Sequence, residues 1–298
     1  MSGFSANYTA TDYDLRSLNH ERRMLAVYRQ SSHTDAGALQ PLANACWRAS
    51  CFEWALYRDA ETVRRLWGEG AHALVQGFAR RRQSFDPSPD QLILALHLSI
   101  AARARDAFTE LAFSAPNLRA GALRDARAFR GSRAHFHLAE GYALVARALA
   151  EHKQSPARAA VDSLAAAREE NDAGWWERQY PDALEATWRM REHDAVCALL
   201  SAVAHRIADE SHDEALAERT AADFAQAVDE ALVRLEQFVE RDMNHHPKLY
   251  IWLPGIALCA LAASARLPVE WLQERYQKRV IGYTRLPVEL LRNPPKNA

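Results

Sequence analysis

The sequence predicts an all-α protein, a multi-helix bundle or irregular α-solenoid of antiparallel helix pairs around a buried helix in the C-terminal third. Three observations predict it. Alanine supplies 57 of the 298 residues and glycine only 11; alanine costs nothing in a helix, whereas glycine serves tight turns and phosphate loops. Apolar residues recur at helical spacing over most of the length. No alternating β-branched run of useful length appears.

The first dozen residues read as a loose terminus. "YDLRSLNHERRMLAVYRQ" (13–30) has a helical rhythm, and "ALQPLANACWRASCFEWALYRD" (38–59) sets Cys46, Trp47, Cys51, Trp54 and Leu56 mostly on one stripe. Asp59 is placed to cap the next helix, 60–82. "SFDPSPD" (84–90) then breaks the chain, because two prolines this close do not sit inside a helix. The break suggests a helical subdomain over 1–82 and a helical domain over 88–298; one continuous domain is the alternative. "DQLILALHLSIAARARDAFTELAF" (90–113) is a strong helix pattern, interrupted near Arg105 and Asp106 and ended by Pro116. Further helices are expected at 132–152, 156–169, 175–191, 193–210 and 213–242. No 34-residue signature repeats, so a regular tetratricopeptide array is not supported.

"KLYIWLPGIALCALAASARLP" (248–268) is the most apolar stretch, with 17 uncharged residues between Lys248 and Arg266. A membrane-spanning helix needs about 20, and Pro254 and Gly255 shorten any regular helix further. Proline suits a first helical turn, so a helix is expected from about Pro254. "GIALCALAASA" puts small apolar residues all round it, the pattern of a helix buried on every side. Leu253 to Ala263 should therefore be inaccessible to solvent. "PVEWLQERYQKRV" and "RLPVELL" follow towards the C-terminus.

Net charge is −1, so no polyelectrolyte or nucleic-acid partner is implied. Of the 37 basic residues 33 are arginine, a bias that a GC-rich genome also produces, and isolated arginine clusters are discounted accordingly. Cys46, Cys51, Cys197 and Cys259 form neither a metal knuckle nor a dense disulfide framework, and read as free thiols of a reducing compartment. "MSGFSANYTATDYDLR" has no basic start followed by an apolar core, so a cytoplasmic protein without a signal peptide is expected.

Catalytic constellations are scarce. There is no GxSxG elbow, P-loop, GxGxxG after a strand, or HExxH. In "HFHLAE", His135 and His137 point about 200° apart on a helix and cannot easily share an ion, although His137 and Glu140 could. "NHHPK" (244–248) offers two histidines without a third ligand. The sequential acid pairs Glu169-Glu170, Asp209-Glu210, Asp213-Glu214 and Asp229-Glu230 do not face each other on a helix, so they are not catalytic dyads. Arg80, Arg81 and Arg82 end a helix, where the dipole favours cations. No cofactor or metal is expected, and no enzymatic activity.

Two features point to a binding surface. Trp175 and Trp176 are adjacent at a helix start, where one helix face cannot easily bury both, and tryptophan is enriched at binding hot spots; core packing is the plainer reading. Between Asp209 and Asp242 eleven acids stand against three arginines, a local balance of −8 that leaves +7 for the rest. Its apolar stripe, which includes Phe224, Val228, Leu232, Leu235 and Phe238, should pack inward, so the acids face outward or line a groove. That is either a solvated face or a docking surface for a basic partner, with Asp209, Glu210, Asp213, Glu214, Asp229 and Glu230 as contact residues.

"ADFAQAVDEALVRLEQFVER" leads through a polar loop into "YIWLPGIALCALAASARLPVE", and the sequence closes on "RLPVELL". That order resembles the bacterial immunity protein 49 family of polymorphic toxin systems. The resemblance rests on Phe224, Val228, Ala231 and Leu232, on the run from Gly255 to Ala262, and on Leu286, Pro287, Leu290 and Leu291. "LALHLSIAARARDAFTELAFSAPNLR" (94–119) is similar to an earlier helix of the family. The likeness spans about 90–291; the family's histidine-lysine-aromatic end to the long helix is replaced here by "LEQFVER". It implies a protein that neutralises a cognate secreted toxin by tight binding and occlusion of the toxin's active site. A helical scaffold binding peptides in a concave groove and an all-α metal-dependent enzyme using the histidines are the alternatives.

Overall fold

The structure, a computed structural model, describes residues 12–81, 88–113, 133–208, 214–241, 251–265 and 267. Every regular element among them is helical: α1 (Asp12–Ser32), a 3-10 turn (Ala36–Ala38), α2 (Leu39–Tyr57), α3 (Ala60–Arg81), α4 (Pro89–Ala102), α5 (Arg105–Ala112), α6 (Arg133–Glu151), α7 (Gln154–Glu169), α8 (Ala173–Gln179), α9 (Ala183–Ala208), α10 (Glu214–Arg241) and α11 (Leu253–Ser264). The all-α class is as the sequence predicts. No helix among the described residues is long and apolar enough to cross a membrane.

Local chemistry sets the boundaries. The Asp59 carboxylate accepts from the Glu61 and Thr62 backbone N–H groups and starts α3, as expected of an N-cap. Ser88 does the same for α4 through Gln91 N–H, with Pro89 in the first turn. Three corners turn through left-handed residues that are not glycine: Arg58 between α2 and α3 (φ 55°), Arg103 between α4 and α5 (φ 60°) and His152 between α6 and α7 (φ 52°). Arg103 therefore breaks the helix two residues before the expected Arg105 and Asp106 step.

One boundary differs from the sequence reading more seriously. In place of helices at 175–191 and 193–210 there is a short α8 and one unbroken α9. Pro181 forces Tyr180 into an extended conformation (φ −121°, ψ 109°), which ends α8. Asp182 then caps α9 through Leu184 and Glu185 N–H, and nothing around Glu192 interrupts the helix. Pro116, the "NHHPK" loop and the segments after Leu267 lie outside the described residues.

Two-residue links join α2 to α3 and α6 to α7, and each pair packs along its length, which makes them antiparallel. α9 is the element that gathers the fold: it packs against α6, α7, α8, α10 and α11. α11 packs against α4 and α9. It is buried from Leu253 to Ala262 except at Pro254 and Ala260, which are partly accessible, and Ala263 is exposed, against expectation. Ser264, next to it, is exposed as well. At Gly141, an added Cβ would fall 2.7 Å from Leu164 Cγ, so α6 and α7 approach too closely there for any side chain.

The buried apolar residues form one cluster from Leu18 to Ala262. Because α3 packs against α4 and α5, the segments on either side of the proline-rich break share that core. The first three helices are also cross-braced by forked ion pairs. Arg22 of α1 pairs with Glu53 of α2 at 2.8 Å, Arg48 of α2 returns to Glu21 of α1 at 2.7 Å, and Arg29 of α1 meets Glu69 of α3 at 2.6 Å.

Candidate functional site

A cavity of about 260 Å³ opens where α2, α4, α6, α8, α9 and the start of α11 converge. Four of the eight tryptophans line it: Trp47, Trp176, Trp188 and Trp252. α9 supplies the polar wall because Trp188, Arg189, Glu192, His193 and Val196 are linked by spacings of three and four along one helical face. α8 brings Trp176 and the chain turn brings Tyr180; α4 brings His97 and α6 brings His135.

The wall contains one tightly held charge pair. Arg189 donates from Nη1 to Glu192 Oε2 at 3.0 Å and lies 3.7 Å from Glu185. Its guanidinium stacks over the Trp188 ring, 4.0 Å from the centroid, and lies 5.8 Å from that of Tyr180. Glu192 accepts a second bond at 2.6 Å from the Trp252 indole N–H. The two charges thus face each other and the aromatic rings, while Arg189 Nε and Nη2 are buried without a hydrogen-bond partner among the described residues.

The imidazoles are different. His97 and His193 are buried, and burial pushes both down to about 3, so each is neutral at physiological pH. Burial also lowers His135, whose ring packs at 4.9 Å from Trp175 and Trp176 and 5.3 Å from His193. His97 Nε2, His135 Nδ1, His193 Nε2, Trp188 Nε1 and Arg189 Nε and Nη2 have no hydrogen-bond partner among the described residues. Buried polar atoms in folded proteins are nearly always paired, so these six atoms around one cavity are a concentration.

The expected tryptophan pair divides. Trp176 is buried, stacks on Tyr180, and donates from its indole to Asn171 Oδ1 at 2.7 Å, so it is a cavity wall and not an exposed anchor. Trp175 is half-buried and edge-on to it at 4.9 Å. The metal suggestion also divides. His137 lies 3.8 Å from Glu170, while buried Glu140 accepts from Ser163 Oγ at 3.0 Å, so the two do not meet on one ion. Among the described residues no group of three histidine, cysteine or acidic side chains is placed to hold a metal. All four cysteines are free and buried, and burial raises every thiol above its ordinary range, Cys51 to about 12.

The acidic helix α10 buries Phe224, Ala227, Val228, Ala231, Leu232, Leu235 and Phe238, the inward stripe the sequence predicts. Its acids are less open than their number suggests. Asp223 forms a forked pair with Arg168 of α7 at 2.6 Å and 3.2 Å. Glu230 pairs with Arg191 of α9 at 3.3 Å, and Asp229 is half-buried. Glu218 is exposed. Asp209, Glu210 and Asp213 lie outside the described residues, as does the Glu214 side chain. Arg191 continues to Asp194 at 3.3 Å, and Asp194 accepts from Asn171 at 2.7 Å. A polar chain therefore runs from Glu230 through Arg191, Asp194 and Asn171 to the Trp176 indole.

Compared with known protein families, curated proteins and solved structures, the chain shows no significant match to any.

The sequence reading found α10 and the tryptophan pair but missed Trp47, His97, Trp188, Arg189, Glu192, His193 and Trp252 as a group. Their available signal was the α9 spacing: a tryptophan and a histidine five residues apart, each beside a charge.

Proposed function

We propose that this protein neutralises a cognate secreted bacterial toxin by binding it tightly in the cytoplasm and occluding its active site, without turnover. The observation that carries the reading is the packing of α10 and α11. The positions on which the family resemblance rests, Phe224, Val228, Ala231, Leu232 and most of the run from Gly255 to Ala262, are buried ones in two successive helices of a single core. The resemblance is thus one of the load of apolar contacts that hold a helical frame, and the frame presents the polar side of α10 outward, with Glu218 and Glu230 along it.

A basic toxin surface is the natural complement. Complementary charge speeds encounter and rejects wrong partners more than it deepens affinity. The acids that stand free of arginines carry most of this steering, because a carboxylate already forked to a guanidinium offers little net field.

The test is co-expression. The reading frame beside this gene should encode a large secreted protein with a toxic C-terminal domain. Cells expressing that domain should recover growth when this protein is supplied, and the two should co-elute at one to one. A toxin domain that kills equally in the presence of the folded protein would sink the proposal.

A further inference from the structure

We propose that the cavity walled by Trp47, Trp176, Trp188 and Trp252 is a binding site for a small, uncharged, planar heteroaromatic molecule of one or two rings, bearing both a hydrogen-bond donor and an acceptor. The site does not depend on toxin binding and stands on three properties of its walls.

Size comes first. A cavity of 150 Å³ lined by apolar side chains is large enough for benzene. One of about 260 Å³ takes a fused bicycle the size of benzimidazole or a purine base. Shape comes second. Four indoles and the Tyr180 phenol give flat faces, and Tyr180 is only partly covered at the open side, beside exposed Asp90. Aromatic faces favour a flat, polarisable guest over a branched aliphatic one.

Polarity decides the class. Charge inside the wall is balanced: Arg189 bonds Glu192 through Nη1 and lies 3.7 Å from Glu185, and Glu192 also accepts from Trp252. An anionic guest would find the Arg189 charge already neutralised by two carboxylates. What the wall leaves open is hydrogen-bonding capacity on side chains withdrawn from solvent, chiefly neutral rings, with Arg189 Nε and Nη2 as further donors. His193 is 3% exposed and His97 5%, and neither Nε2 has a partner among the described residues; Trp188, 2% exposed, has an unpaired indole N–H. His193 Nδ1 meets Cys197 Sγ at 3.7 Å, and its unpaired Nε2 accepts or donates according to the tautomer. Trp188 can only donate. A guest with a ring N–H and a ring nitrogen or carbonyl satisfies one of each.

The test uses benzimidazole and adenine as probes, with inorganic phosphate as the charged control. Titration calorimetry and ligand-observed NMR on the full-length protein should show saturable one-to-one binding of at least one heteroaromatic, with Kd below about 1 mM, and none of phosphate. Val196→Trp, which fills the cavity, should weaken that binding at least about tenfold while thermal unfolding stays cooperative. Should that variant fail to fold, Tyr180→Ala at the partly exposed rim replaces it and should weaken binding about tenfold through lost stacking. Absence of saturable binding of either probe overturns the proposal. So does equal binding by the filled or rim variant, or a crystal structure soaked with probe in which only ordered waters meet His97, His193 and Trp188.

Discussion

Along α10, charged side chains lie at the surface and find partners across the gaps to α7 and α9. Around the cavity, polar side chains lie inside and several find none. Asp223 and Glu230 are each within 3.3 Å of an arginine, whereas the Nε2 atoms of His97 and His193 and the Trp188 indole N–H are unpaired among the described residues. The difference teaches that conspicuous charge and available charge are separate quantities. A run of acids is visible in one dimension, but neighbouring helices decide which acids remain free. An unpaired imidazole leaves no mark in the sequence, yet it is the group whose burial disfavours ionisation most plainly.

That contrast can be tested through pH, with the largest expected effect. The folded state holds His97 and His193 near 3, and an unfolded chain has histidine near 6.5. Below about pH 6.5 the unfolded state binds more protons, so stability falls as pH falls, down to the folded values. Each histidine contributes a slope of about 1.4 kcal/mol per pH unit in that window, so the pair gives up to about 2.7 kcal/mol per unit. Urea denaturation at a series of pH values measures the slope, and His193→Phe should remove about half of it. A flat profile between pH 6.5 and 5 would show that these imidazoles are not held neutral by burial.

Packing beside the cavity comes next in size. Gly255 of α11 lies against the Trp252 ring so closely that any Cβ would overlap it, and that ring is tied to Glu192. Gly255→Ala should cost about 1–3 kcal/mol in chemical denaturation, because the indole must leave its hydrogen bond or the helix must shift. A loss under about 0.5 kcal/mol would mean that the wall is softer than its geometry implies. On α10 the effects shrink. Asp223→Lys breaks a half-exposed pair, and its effect on stability should stay under about 1 kcal/mol. Against a basic toxin, by contrast, reversing Glu214 and Glu218 should slow association and reduce its salt dependence, read by stopped-flow at two ionic strengths. Unchanged kinetics would remove α10 from the docking surface.

Much of the fold was legible in the sequence, and for identifiable reasons. Apolar periodicity gave α10 within a residue at each end, and Asp59 and the prolines near 89 marked starts that depend on side-chain capping and a missing N–H. The interruption expected near Arg105 is there, turned through Arg103 in a conformation that arginine seldom adopts, whereas Pro181 ended a helix that was extended through it. The buried end of α11 was placed a residue too far because burial depends on what lies opposite: Ala263 has the right composition but is exposed. The cavity escaped for a deeper reason. Its lining runs from Trp47 to Pro254 on six separate elements, and only tertiary packing brings them together.

The three left-handed corners carry one last consequence, for engineering. An ordinary side chain in that conformation costs roughly 1–2 kcal/mol that glycine avoids. Among the described residues, no glycine has positive φ, while Arg58, Arg103 and His152 do. His152, in the tight link between α6 and α7, is the simplest place for a thermostabilising exchange: His152→Gly should raise the melting temperature slightly in calorimetry, leaving both the aromatic chamber and the acidic flank untouched.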